Sequence, residues 1–180
     1  RSCLVGSEMC IRDRSIEVYT KRQENLKKVL SKKGLDGILI TNLTNIRYIS
    51  GFTGSAASCF ITPKGQYFIT DGRYIEQSKS QVKSFDHFIG TDPHLKQIKD
   101  NKLNPDGLKI AFEADHMSYS LYKKMKEFFP NTHWSSTSMI LEDLASVKDD
   151  YELDCIKAAV EITDTVYEEI LPMLRPGYTE

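Results

Sequence analysis

The sequence lacks an excess of charge of either sign, a long apolar run and a cysteine framework. Its 180 residues carry 24 Lys and Arg against 25 Asp and Glu, which gives a formal net charge of −1. The absence of a basic excess argues against nucleic acid as a partner. No stretch approaches the roughly 20 apolar residues that span a bilayer, so we do not expect a membrane partner.

Cysteine is also scarce, and half of it lies in an unusual opening segment. Cys3 and Cys10 fall within RSCLVGSEMCIRDR, which has no starting Met, no apolar signal region and no helical periodicity. The string resembles translated sequencing adapter, so we expect residues 1–14 to be a non-native tail outside the fold. Cys59 and Cys155 remain, without CxxC spacing. That pattern favours reduced thiols in a cytoplasmic protein over disulfides or a zinc site.

What is present is an alternation of helix and strand patterns. Apolar residues recur at helical spacing from Ile16 to Leu30, and two segments rich in β-branched and aromatic residues flank a turn at Pro63-Lys64-Gly65. Further strands are predicted at 37–41, 86–89, 108–113 and 133–136, and further helices at 42–50, from about 73, at 93–99 and at 118–129. The sequence therefore predicts an α/β fold with a mixed β-sheet flanked by helices.

The pattern changes near Met139. The remainder is one long amphipathic pattern whose apolar stripe consists of Leu153, Ile156, Val160, Thr163, Val166 and Ile170. Such a stripe needs a partner surface, so we expect a second domain to begin near Val147 and to be cut off after its first helix. We assign 15–140 to the first domain, and 141–180 to a linker and the first helix of a truncated second domain.

The stretch GFTGSAA, residues 51–57, raises two catalytic alternatives. A phosphate-binding loop would need Lys after Gly54, or a helix after a GxGxxG pattern, and the sequence instead continues into strand-like residues. A serine hydrolase would need Ser55 in a GxSxG context, which is missing. The sequence predicts neither site.

A metal site near the end of a strand is the third alternative. Glu113 and Asp115 would share one face of a strand, whereas His116 would point to the other. The better interpretation is a strand end that leads to a helix capped by Ser118. The remaining histidines lack metal-ligand spacing and are expected at half-buried or surface positions: His87, His94 and His133. From the residues alone we predict neither a catalytic nor a metal-ligating group.

Two motif blocks resemble a known family. The first comprises NIRYISGFTGS at 45–55 and TDGRY at 70–74, and the second comprises KDDYEL at 148–153 and PGYTE at 176–180. In this order they resemble the Xaa-Pro aminopeptidases of the creatinase/prolidase/methionine-aminopeptidase superfamily, peptidase family M24. One departure is Ala145, where family members often carry Arg. The resemblance covers nearly everything from Ile16 to Glu180.

The resemblance implies a creatinase N-terminal domain of ribonuclease-H-like fold, followed by the start of a pita-bread catalytic domain. It implies hydrolysis of the bond between an N-terminal residue and proline by two divalent metal ions, with manganese as the expected metal. The family's ligands are two Asp, one His and two Glu, and none of them matches a residue of this chain. The resemblance therefore implies that these 180 residues bind no metal and are inactive alone.

The same resemblance implies that this domain packs in a homodimer or higher oligomer and shapes the entrance for a proline-containing peptide. Tyr48, Phe52 and Arg73 are the candidate entrance residues, since aromatic rings and a guanidinium suit a peptide channel. The two aromatics could equally be core residues, and Arg73 could be a helix-start or ion-pair residue. Two functional alternatives also stay open: a non-catalytic peptide-binding module, or the N-terminal domain of a prolidase or creatinase.

Overall fold

The computed structural model describes residues 4–104, 106–174 and 177. Contacts divide the chain into two units, Arg1–Ala145 and Ser146–Glu180. The strands are β1 (Gly37–Ile40), β2 (Ala57–Thr62), β3 (Gly65–Thr70), β4 (Asp86–Ile89), β5 (Lys109–Glu113) and β6 (His133–Thr137). The helices are α1 (Leu4–Lys32), α2 (Leu43–Ser50), α3 (Ile75–Gln81), α4 (His94–Asp100), α5 (Tyr119–Phe128), α6 (Ile140–Ser146) and α7 (Asp150–Ile170).

The six strands form one mixed sheet in the order β4-β3-β2-β1-β5-β6. Only β2 is antiparallel to its two neighbours, since β3 pairs in parallel with β4, and β5 pairs in parallel with β1 and β6. The other five strands therefore end at the same edge of the sheet, which we call the carboxyl edge. The predicted α/β class with a mixed sheet is confirmed.

Local sequence signals set several of the boundaries. The Asn42 side chain accepts the Thr44 N–H at the start of α2, and the Ser118 hydroxyl accepts the Leu121 N–H at the start of α5, as predicted for Ser118. The hairpin turns at Pro63-Lys64, and β2 and β3 pair from Thr62–Gly65 to Ala57–Thr70. These patterns depend on nearby residues, which explains why the sequence predicts them.

Helix α1 begins at Leu4, so its backbone includes residues 4–14, whose assignment to a non-native tail stays a prediction. No proline occurs before Pro63 to interrupt it. The helix ends as expected, because Gly34 adopts a left-handed φ of +64° just beyond Lys32.

The core lies on both faces of the sheet, because successive strand residues point to opposite sides. The α1 face packs against α1, α2 and α6 and carries Ile38, Ile40, Cys59, Ile61, Phe68 and Ala111. The α4 face packs against α4 and α5 and carries Leu39, Phe60, Tyr67, Ile69, Ile110 and Phe112. Of the cysteines that the structure describes, Cys59 is buried in the α1 face and Cys155 is exposed, and both are free thiols.

Residues 141–180, expected to be a linker and one helix, contain most of α6 and the whole of α7, because Asp149 starts a new helix. Its carboxylate accepts the Glu152 N–H, and the Glu152 carboxylate accepts the Asp149 N–H, which forms a capping box. The apolar stripe of α7 is exposed along its length, from 42% at Leu153 to 46% at Ile170. No helix in the described ranges is long and apolar enough to cross a membrane.

Candidate functional site

The loop at residues 51–56 lies at the carboxyl edge, and its glycines make room for aromatic rings. A Cβ on Gly51, whose φ is +79°, would lie 2.8 Å from the Tyr19 ring. A Cβ on Gly54 would lie 2.3 Å from Phe52 and 2.7 Å from Tyr74. Both glycines are therefore required by close packing of the backbone against aromatic side chains.

The polar residues of the same loop bond to the elements that follow β3. The Ser55 hydroxyl lies 2.7 Å from the Tyr74 hydroxyl, and hydrogen bonding to Ser55 lowers the pKa of Tyr74. The Gln81 carboxamide oxygen accepts the Thr53 N–H at 3.0 Å. These contacts fasten the loop to the 3₁₀ turn at Gly72–Tyr74 and to α3, so the loop serves as scaffold.

Of the three candidate entrance residues, Phe52 lies inside the core. Its side chain is 1% exposed, and its ring packs edge-on against Phe68 at 4.9 Å and Tyr74 at 5.4 Å between centroids. A ring buried to this extent offers no surface to a peptide in this structure. The position of Phe52 fits the core alternative rather than the entrance alternative, because the apolar ring is more stable in the core than at an entrance.

Tyr48 is half-buried and belongs to a contact with α1. The Arg22 guanidinium lies 4.3 Å from the Tyr48 ring centroid and donates from Nη1 to the Tyr48 backbone oxygen at 2.8 Å. Arg22 is itself 7% exposed and lies 5.5 Å from the Tyr19 ring. The cation–π contact therefore fixes Tyr48 against the helix pair α1 and α2.

Arg73 is the accessible member of the three. Its side chain is 70% exposed and binds Asp71 through two hydrogen bonds, Nε to Oδ1 at 3.0 Å and Nη2 to Oδ2 at 2.8 Å. The hydrogen bond from Arg73 lowers the pKa of Asp71 to about 2, and the same pairing raises the pKa of Arg73. Asp71 also accepts the Arg73 N–H, so one carboxylate caps the turn and orients the guanidinium.

Phe52 and Arg73 are joined through a residue that sequence reasoning did not select. The Tyr74 ring contacts Phe52 on one side, and its centroid lies 5.4 Å from the Arg73 guanidinium on the other. Tyr48 instead binds Arg22. The structure therefore brings two of the three predicted residues together, with Tyr74 between them, and leaves Tyr48 in a separate contact.

Glu113, at the end of β5, is a structural hub at the same edge. Its Oε2 accepts the backbone N–H groups of Thr41 at 2.7 Å and Asn42 at 2.8 Å. Its Oε1 accepts the Asn45 amide at 2.7 Å, and Asn45 also donates to Glu142 of α6 at 2.7 Å. The carboxylate thus ties β5 to the β1–α2 connection. No three His, Cys, Asp or Glu side chains in the described part of the chain converge as a metal site.

Sequence reasoning missed a serine–histidine pair on the α4 face. Ser58 of β2 and His94 of α4 lie with Oγ and Nδ1 2.8 Å apart. Ser58 is 5% exposed, and His94 is half-buried, as expected for that histidine. Thirty-six positions separate the pair, so no motif in the sequence could have indicated it.

Known proteins resemble the chain along most of its length. The Bacillus subtilis peptidase YqhT is 34% identical, and the alignment covers 87% of this chain and 44% of that protein. The Xaa-Pro dipeptidase from Bacillus anthracis superposes with a TM-score of 0.79 at 33% identity, over 90% of this chain and 45% of the other. The X-Pro aminopeptidase from Thermotoga maritima superposes with a TM-score of 0.72 at 29% identity, over 82% and 43%.

The chain spans somewhat less than half the length of these relatives. The family described as Creatinase/Prolidase N-terminal domain matches residues 22–147, which contain the six-stranded sheet and both of its faces. The motif blocks, the fold and the presence of Xaa-Pro peptidases among the structural neighbours all indicate the same family. The chain therefore belongs to the creatinase/prolidase N-terminal domain family.

Proposed function

We propose that this chain is the N-terminal part of a metal-dependent Xaa-Pro aminopeptidase, which removes the residue that precedes proline from a peptide N-terminus. The supporting observation is the likeness to the Thermotoga maritima X-Pro aminopeptidase, which covers 82% of the chain with a TM-score of 0.72. The alignment with the Bacillus anthracis neighbour covers 90% of the chain and so extends beyond the family domain at 22–147 into the second unit. A prolyl amide has no N–H and a restricted ring, which requires a dedicated peptidase.

In this proposal the 180 residues act as scaffold. Because the family resemblance matches none of the five metal ligands to a residue of this chain, we assign the two divalent metal ions, with manganese as the expected metal, to the part of the relatives that this chain does not cover. We assign residues 15–140 to the scaffold domain and 141–180 to a linker and the first catalytic helix. The exposed stripe of α7 would pack against the remainder of that catalytic domain. We further propose a cytoplasmic homodimer or higher homo-oligomer that acts on proline-containing peptides.

The first test uses the complete protein that contains this chain. We expect its sequence to add the ligand set of two Asp, one His and two Glu, and the protein with manganese to cleave Xaa-Pro-Yaa peptides until a chelator is added. A complete sequence without those ligands would overturn the metal-enzyme proposal. Peptide binding without turnover would favour a non-catalytic module.

A dipeptidase is the second candidate, because the Bacillus anthracis neighbour is an Xaa-Pro dipeptidase. The two candidates differ in the length of the substrate. An aminopeptidase cleaves Xaa-Pro-Yaa tripeptides at least as well as Xaa-Pro dipeptides, whereas a dipeptidase is restricted to the latter. The ratio of kcat/KM for matched Ala-Pro and Ala-Pro-Ala substrates therefore separates them.

Arg73 is the residue that we propose at the peptide entrance, because its guanidinium is exposed and held by Asp71. In the complete protein, Arg73→Ala should raise KM for Xaa-Pro-Yaa peptides several-fold with little change in kcat, as expected when a group binds substrate equally before and during the reaction. Lys64→Ala removes an exposed cation at the opposite edge of the sheet and serves as the control. Equal KM values for the two variants would contradict this role.

A further inference from the structure

A cavity opens at the carboxyl edge of the α4 face, between α4 and α5. Its volume is about 550 Å³, within the roughly 300–1,000 Å³ of small-molecule sites. Two residues on the rim of the cavity follow strands directly: Thr41 lies just after β1, and His116 lies just after β5. The strand order reverses between these two strands, and such a switch point at the carboxyl ends is where open α/β sheets hold ligands.

The wall of the cavity is largely apolar, and one polar pair is set into it. Leu95, Leu121 and Phe128 supply apolar surface. The polar pair is Ser58 and His94, with Oγ and Nδ1 2.8 Å apart. A cavity of this kind, with few polar groups in an apolar wall, is suited to a compact ligand that is mainly hydrophobic.

His94 retains one nitrogen for a ligand. Nδ1 is occupied by Ser58, whereas Nε2 has no hydrogen-bond partner among the described residues and is not fully buried. Burial lowers the pKa of His94, against a smaller opposing effect of Asp71, which favours the neutral imidazole. Depending on the tautomer, Nε2 donates or accepts, and a hydroxyl group fits either case because it can do both.

The charged groups at the rim do not favour a ligand of one sign. The Lys96 ammonium is paired with Asp92 at 2.8 Å. Lys124 and Glu127 lie one helical turn apart on α5 and carry opposite charges. An uncharged ligand therefore suits both the rim and the wall of the cavity.

We propose that the α4–α5 cavity binds an uncharged small molecule with an aromatic or aliphatic body and a hydroxyl group that bonds to Nε2 of His94. The site lies within the first unit and does not depend on the proposed peptidase activity. Phenol is the probe, benzene is its partner without the hydroxyl, and benzoate is its anionic counterpart. Each is titrated into the 180-residue chain.

The measurement is NMR of the histidine ring nitrogens, together with dissociation constants from amide shifts. We expect phenol to bind about fivefold more tightly than benzene, the effect of one net hydrogen bond, and to shift Nε2 of His94. NMR contacts between the phenol ring protons and the side chains of Leu121 and Phe128 should appear in the unsubstituted chain, so this part of the test requires no substitution. Benzoate binding more tightly than phenol, or an unchanged Nε2 resonance during saturation by phenol, would overturn the proposal.

Two variants and a matched control sharpen the test. His94→Phe should bring the ratio of benzene to phenol dissociation constants to about one, because the apolar wall remains. Leu121→Trp should fill the cavity and weaken both probes more than about tenfold. His133→Phe, at an exposed histidine of β6, should change neither value. If Leu121→Trp does not fold, the phenol contacts and His94→Phe still decide the outcome, and a ratio that stays near fivefold in His94→Phe contradicts the proposal.

Discussion

The two faces of the sheet are built from the same strands but end differently at the carboxyl edge. Strand β2 directs Ala57 and Cys59 to the α1 face and Ser58 to the α4 face. On the α1 face the core continues to the edge through Phe52, which is 1% exposed. On the α4 face the core gives way to a cavity of about 550 Å³. One face is thus packed for stability, and the other leaves room beside a polar pair.

The largest effect that we expect is on the packed face. Phe52→Ala would remove a ring that packs against both Phe68 and Tyr74, and should lower the free energy of unfolding by about 3–5 kcal/mol. Urea unfolding followed by circular dichroism measures the change. Tyr119→Ala, at a side chain that is 75% exposed, is the control and should alter stability little. Equal stability of the two variants would show that Phe52 is not a core residue.

Phe52 also shows which features of the structure can be predicted from the sequence and which cannot. The helix start at Asn42, the hairpin at Pro63-Lys64 and the Ser118 cap follow from nearby residues, and the structure confirms them. Whether an aromatic residue after a Gly faces the core or an entrance depends on rings brought from β3 and the following turn. Sequence spacing does not contain that information.

The second largest effect lies at the edge that both faces share. Glu113→Gln would remove a charge that accepts the Thr41 and Asn42 N–H groups and the Asn45 amide. Hydrogen bonds to a charged group contribute about 1.5–3 kcal/mol, so we expect a loss of about 2 kcal/mol. Amide hydrogen exchange should show the loss first at Thr41 and Asn42.

Asp115→Asn is the matched control for Glu113→Gln, since Asp115 is exposed only two residues further along the chain. It should leave both the unfolding free energy and the exchange rates unchanged. Faster exchange in both variants would indicate a general loosening of the β5–α5 connection, and would contradict the role of Glu113. The sequence predicts that Glu113 lies at the end of a strand. It does not predict the hydrogen bonds of Glu113, because their partners lie 68 to 72 positions earlier in the chain.

The smallest effect concerns the open face and depends on pH. Burial lowers the pKa of His94 below its ordinary value of 6.5, and Asp71 opposes the shift. As the pH falls through 6.5, the unfolded chain therefore binds a proton that the folded chain does not, and the stability decreases until the pH reaches the folded pKa. The other titratable groups around the cavity, Lys96, Lys124, Glu127 and His116, lie at its rim.

Replacing His94 should remove this part of the pH dependence. Between about pH 7.5 and about pH 5.5, the unfolding free energy of the unsubstituted chain should fall further than that of His94→Phe, by an amount that the folded pKa of His94 sets. At the higher pH the variant should be less stable by about 1 kcal/mol, because the buried Ser58 hydroxyl loses its partner. His133→Phe, at an exposed histidine of β6, is the matched control. If His94→Phe and the unsubstituted chain lose stability in parallel, the imidazole titrates as it would in water. The carboxyl-edge end of the α4 face would then be as open to solvent at His94 as an ordinary surface, although the core further along the strands of that face is buried.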